Sequence, residues 1–109
     1  MTTTTPAILG QTKPPANTDT NLCTIVAGHQ SQCSIFVCNQ SANIEQITIS
    51  LIPSASTESS SSYIAYMTPI TGNGVFAVSG INLNSGDAVN VQSLGGNASF
   101  TLTGLDIVS

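Results

Sequence analysis

A chain of 109 residues with one lysine, no arginine, five acids and a formal charge of −4 is long enough for one domain and too short for two separate cores. Charged residues make up 6% of it, against about 25% in an ordinary soluble protein, and a single lysine cannot supply the clustered cations that phosphate contacts need, so no nucleic-acid partner is expected. Thr, Ser, Asn, Val and Ile dominate while the helix formers Glu, Lys and Arg are scarce, which points away from helices and toward strands.

The chain opens with residues 1–19, which read as an extended N-terminal arm. The threonine run, Pro6, and Lys13-Pro14-Pro15-Ala16-Asn17 are rich in chain breakers and cannot form a core. Within the arm, Ala7-Ile8-Leu9-Gly10-Gln11 is a short apolar island suited to adding a strand to a sheet edge, in this subunit or in a neighbour. Ile8, Leu9, Gly10 and Gln11 are therefore the candidate partner-binding residues. The opening stretch has neither a basic segment nor an apolar core, so no secretion signal is expected. The apolar runs are far too short to span a bilayer, and no membrane partner is expected.

Residues 20–109 read as the sandwich domain. Short apolar segments alternate with turn clusters at the spacing of about 8–12 residues that sandwiches show. The first is 22–27, ended by Gly28-His29-Gln30. The segment 33–38 is apolar on both faces and reads as a central strand. In 44–52, Ile47, Ile49 and Leu51 alternate with Gln46, Thr48 and Ser50, the pattern of a half-buried strand, and Pro53 closes it. A serine-rich loop, 53–62, reads as exposed and mobile. Strands follow at 63–67, ended by Thr68-Pro69, at 75–78 and at 88–94, with a turn over Asn82 to Asp87. Gly95-Gly96-Asn97 has the chemistry of a tight hairpin loop. In the last strand, 98–108, the apolar parity changes from Phe100 and Leu102 to Leu105 and Ile107, which predicts a β-bulge at Gly104. The fold expected is all-β: one antiparallel, jelly-roll-like sandwich of about seven or eight strands. Its core should join Ile47, Ile49 and Leu51 to Ile35 or Cys33, Val37, Val89, Val91, Phe100 and Leu102.

Chemistry-bearing residues are few and scattered. His29, the one histidine, reads as a turn residue with no nucleophile in a GxSxG setting and no carboxylate to orient it. Glu58 in the serine loop, and Glu45, Asp87 and Asp106 near different strand ends, read as solvated acids rather than a hydrolytic pair. Asn84-Ser85-Gly86-Asp87 lacks the spaced acid ladder of a calcium loop and reads as a turn. Cys33 and Cys38 leave opposite faces of one strand and cannot pair, whereas Cys23 with Cys33 across a hairpin stays geometrically open. Free buried thiols fit assembly in a reducing cytosol, and with no zinc-ligand spacing no metal is expected. Tyr63 and Tyr66 suit packing or an interface, or the lining of a sugar groove. No catalytic residue and no cofactor is expected.

So little charge leaves a surface of Thr, Ser, Asn and Gln that is neutral and easily desolvated. A freely dispersed monomer keeps more charge, so much of this surface is expected to be covered by copies or partners.

Several stretches in order carry a resemblance. They are Ile8-Leu9-Gly10-Gln11; Asn21-Leu22-Cys23-Thr24-Ile25-Val26-Ala27-Gly28; Ser34-Ile35-Phe36-Val37-Cys38-Asn39-Gln40-Ser41; Tyr63-Ile64-Ala65-Tyr66; Ile81-Asn82-Leu83-Asn84-Ser85-Gly86-Asp87; and Asn97-Ala98-Ser99-Phe100. Their sequence resembles small virion structural proteins of tailed bacteriophages, notably those infecting cyanobacteria, with departures where Cys23 replaces an aromatic and Gln40 an arginine. The resemblance implies a capsid cement or decoration protein that binds the outer shell, most simply as a homotrimer, and fastens neighbouring capsid subunits. It implies the major capsid protein or other virion proteins as partners, and a place in the virion after assembly in the host cytoplasm. A position at the neck, tail or fibre base is the alternative on the same particle. A jelly-roll module binding host polysaccharide is the alternative of a different class.

Overall fold

A computed structural model describes residues 2–108. Eight strands follow one another: β1 Thr3–Thr12, β2 Thr20–Thr24, β3 His29–Asn39, β4 Glu45–Ile52, β5 Tyr63–Ile70, β6 Val75–Leu83, β7 Ala88–Ser93 and β8 Ala98–Val108. A single 3-10 turn, Ser60–Ser62, precedes β5. The strands form two four-stranded sheets, ordered β1-β8-β3-β6 and β2-β7-β4-β5, with every neighbouring pair antiparallel. Only β4 and β5 are consecutive strands in one sheet; every other link carries the chain across the core. That connectivity is a jelly roll, and the expected all-β sandwich is what the chain forms.

The core lies between the sheets and is built by period-2 alternation. Ile35 and Val37 of β3, Ile47 and Ile49 of β4, Val89 and Val91 of β7, and Phe100 and Leu102 of β8 are almost completely buried, with Cys33 beside them. Leu51 is only half-buried against this cluster, while Ile52 is buried. The polar side of β4 is not the solvent face that its alternation predicts. Thr48 and Ser50 are buried too, because β5 and the 53–62 loop fold over them. Thr48 Oγ1 accepts the Met67 N–H at 3.2 Å, and Ser50 Oγ donates to Glu58 Oε1 at 2.7 Å.

Several local expectations are corrected. β5 continues through Pro69 to Ile70, which an edge strand tolerates because its outward N–H has no ladder partner. β6 runs on to Leu83 rather than stopping at Val78. Gly95-Gly96-Asn97 is not a hairpin loop but the crossing from β7 in one sheet to β8 in the other. Gly104 is not a bulge either, since the β3–β8 register runs unbroken from His29↔Val108 to Asn39↔Ala98. A Cβ at Gly104 would collide with the Gln32 carbonyl oxygen and lie 2.6 Å from Cys33 Cα. The glycine is there for close strand approach. The parity change has another cause: beyond Leu102 every described residue of β8 is only half-buried, so neither face selects strictly for apolar side chains.

Glu45 departs furthest from expectation. It is 4% exposed, not solvated, and its carboxylate binds the β7–β8 crossing. Oε1 accepts N–H groups from Gly95 at 2.8 Å and Gln46 at 3.2 Å, and Oε2 accepts that of Asn97 at 3.1 Å. Burial pushes its carboxyl up, but the backbone donors together with Ser93 outweigh burial and hold it below the usual carboxylate range.

Candidate interaction surface

The Ile8–Leu9 island belongs to this chain's own sheet. β1 is an edge strand paired with β8 from Thr3↔Val108 to Thr12↔Phe100, with one register shift between Ile8 and Gly10. That bulge divides the work of the four candidate residues. Leu9 turns inward and packs against the core, and Gly10 approaches β2 so closely that a Cβ would strike the Leu22 carbonyl oxygen. Ile8 is left 64% exposed, and Gln11 is exposed with Nε2 donating to Thr101 Oγ1 at 3.5 Å. Residues 13–19 then wrap back over the molecule: Pro14 is buried, and the Asn17 N–H donates to the Ser93 carbonyl at 2.8 Å.

Register and alternation define the outer face of the β1-β8-β3-β6 sheet. With Cys33, Ile35 and Val37 pointing inward, Phe36 points outward in a row with Ala77 and Thr101. Neighbouring rows place Val75 beside Cys38 and Ser99, Ser34 beside Thr103 and Ile8, and Gln32 beside Leu105 and Pro6. Val75 is 70% and Phe36 45% exposed. No row contains a charged residue.

The opposite sheet, β2-β7-β4-β5, carries a polar array. Asn90 Nδ2 donates to Asp19 Oδ2 at 3.3 Å, Asn21 Nδ2 donates to Asn90 Oδ1 at 3.1 Å, and the Tyr63 hydroxyl reaches Glu58 Oε2 at 3.5 Å. The Tyr63 and Tyr66 rings meet at 4.8 Å between centroids, tilted by 53°, and Tyr66 is 65% exposed. Partial burial, and then the nearby Glu58 carboxylate, hold the Asp19 carboxyl above its usual value.

His29 is also corrected. It is the first residue of β3, half-buried, and its Nδ1 lies 2.9 Å from Asp106 Oδ1, so a carboxylate does orient it. Sequence reasoning missed the pair because 77 positions separate its members. The pair lines a hollow of about 110 Å³ with Leu9, Cys23 and the buried Ser31, whose hydroxyl has no partner. Burial, and then the Asp106 charge, push the Cys23 thiol up, opposite to what a nucleophilic cysteine needs. All three cysteines are free: Cys33 buried, Cys23 half-buried and Cys38 exposed. Cys23 and Cys33 stand on opposite sheets rather than across a hairpin. Asp87 spends its carboxylate on the N–H groups of Asn84 (2.8 Å) and Ser54 (2.9 Å), which fits the turn expected there. Among the described residues no group of three or more His, Cys, Asp or Glu is placed to hold a metal ion, and no helix is long and apolar enough to cross a membrane.

These features define a jelly-roll β-sandwich with one uncharged outer face and one polar, aromatic outer face. No family model matches the chain, and no curated protein matches it. Among solved structures it is similar to an exo-beta-1,3-galactanase from Phanerochaete chrysosporium, at 16% identity and a TM-score of 0.33. The match takes in 98% of this chain but only 29% of that one, and at that score it settles neither fold nor activity.

Proposed function

We propose that this chain is a bacteriophage virion structural protein, a cement or decoration subunit that binds the outer capsid shell and fastens neighbouring capsid subunits. The observation that carries the reading is the edge of β1: a ten-residue strand at the margin of its sheet, with Ile8 exposed beside it. Such an edge takes an extended segment of a partner by strand addition, and main-chain hydrogen bonds supply the affinity. Pro6 and the bulge at Leu9 interrupt the edge, which favours one short, specific pairing over open-ended stacking. The low charge supports the same reading, since an uncharged surface is easily desolvated against a shell.

Counting copies of the chain in purified particles by quantitative mass spectrometry tests this. A high, shell-like copy number is expected. A handful of copies moves the protein to the neck, tail or fibre base, and none overturns the reading. Co-sedimentation with particles lacking the protein then tests the edge: Ile8→Asp should bind less than the unmodified chain.

A second reading, a glycan-binding module, is favoured by the exposed Tyr66 ring beside Tyr63, Glu58, Asp19 and Asn90. Aromatic rings stack on sugar rings while carboxylates and amides take hydroxyl groups. A glycan array with the unmodified chain and Tyr66→Ala separates it: tyrosine-dependent binding supports it, and an empty array removes it.

A further inference from the structure

We infer that the outer face of the β1-β8-β3-β6 sheet is where this chain packs against another copy of itself. The inference rests on the virion reading only for its setting; the contact itself needs no particle.

Charge placement selects the face. The side-chain carboxylates are all elsewhere: Asp19 and Glu58 on the opposite sheet, Glu45 buried at the β7–β8 crossing, Asp87 in the β6–β7 turn, and Asp106 turned inward to His29. A chain of formal charge −4 repels its own copies wherever acids meet acids. Across this face two copies approach without bringing carboxylates together. Asp19 and Glu58 stay behind the full thickness of each sandwich, in which the sheets alone are about 10 Å apart, and the Debye length at physiological salt is about 8 Å.

What the face presents is an interface composition. Phe36 and Val75 protrude at one end, Leu105 and Ile107 are half-buried toward the other, and uncharged Thr, Ser and Gln fill the remainder. Interface centres are depleted in charge in this way. The area suffices as well. Four strands spaced about 4.8 Å apart, and about ten residues long at about 3.4 Å each, present roughly 650 Å². Matched by an equal area of a neighbour, that removes roughly 1,300 Å² from water, inside the range of about 1,200–2,000 Å² for specific interfaces. An external partner of opposite charge is disfavoured because the paired rows of the face offer no charge to complement.

Analytical ultracentrifugation of the full chain over a concentration series, without particles, tests the inference. The unmodified chain should sediment as an oligomer. Phe36→Asp and Val75→Asp, both at exposed positions, should stay folded by circular dichroism and weaken association by about 30-fold or more, as removal of an interface hot spot does. Tyr66→Asp on the opposite face should leave association unchanged. A chain that stays monomeric up to about 100 μM overturns the inference, as does dissociation by Tyr66→Asp but not by Phe36→Asp. If a monomeric chain still co-sediments with particles and Phe36→Asp abolishes that, the face belongs to the shell: self-association fails and the virion reading stands. If the chain oligomerises through this face but is absent from particles, the virion reading fails alone.

Discussion

Glu45→Gln puts a number on the buried carboxylate at the β7–β8 crossing. The substitution keeps the side-chain volume, removes the charge, and turns one acceptor into a donor that faces the Gly95 or Asn97 N–H. Hydrogen bonds to a charged group contribute about 1.5–3 kcal/mol net, and a buried donor left without a partner costs about 1–3 kcal/mol. A loss of about 3 kcal/mol is expected, which lowers Tm by about 12 °C in a domain of this size. The effect depends on pH with a definite sign. Because the native carboxyl titrates below the unfolded one, Glu45 adds stability that is complete above the unfolded value and is lost as pH falls through the native value. Urea melts followed by circular dichroism should therefore show a full gap between wild type and Glu45→Gln at about pH 7, and a shrinking gap below the ordinary carboxylate range. A glutamine variant as stable as wild type near neutrality, or a gap unaffected by acid, would refute the capping role.

Gly104→Ala should destabilise the fold by about 1–3 kcal/mol, read as a lower urea midpoint, because its Cβ meets the Gln32 and Cys33 backbone. An unchanged midpoint would mean that β3 and β8 are not so close. In the Phe36→Asp chain, whose outer face is left open, a maleimide should label Cys38 well before Cys33, whose thiol burial, and then Cys23, push up to about 11; prompt labelling of Cys33 in the folded chain, read by peptide mass spectrometry, would contradict the packing. Removing residues 1–12 should weaken the sandwich itself, since Leu9 packs on the core and β1 covers one edge of β8. Hydrogen exchange along β8 would show the loss, and a truncated chain as stable as the full one would mean that β1 is dispensable to the sheet. Ile49→Asp should fail to fold, because it places an unpaired charge at a fully buried position; a cooperative melt at the wild-type temperature would put Ile49 on the wrong face.

Alternation was the legible part of this chain. Period-2 patterning marked Ile47 and Ile49 on β4 and Phe100 and Leu102 on β8 as core residues, because side-chain direction in a strand follows from local geometry alone. Composition marked the all-β class and the shortage of charge for the same local reason. Strand order was not legible. Gly95-Gly96-Asn97 carries turn chemistry whether the chain doubles back in one sheet or crosses to the other, and only the packing of both sheets around one core decides that it crosses. The same holds for the sites. Asp106 meets His29 through β3–β8 pairing across 77 positions, and Glu45 reaches Gly95 across 50. The uncharged face exists because register lines up side chains from four separated strands. Local sequence sets which way each side chain points; which strands lie side by side is decided by burying both sheets at once, a property of the whole chain that no single segment carries.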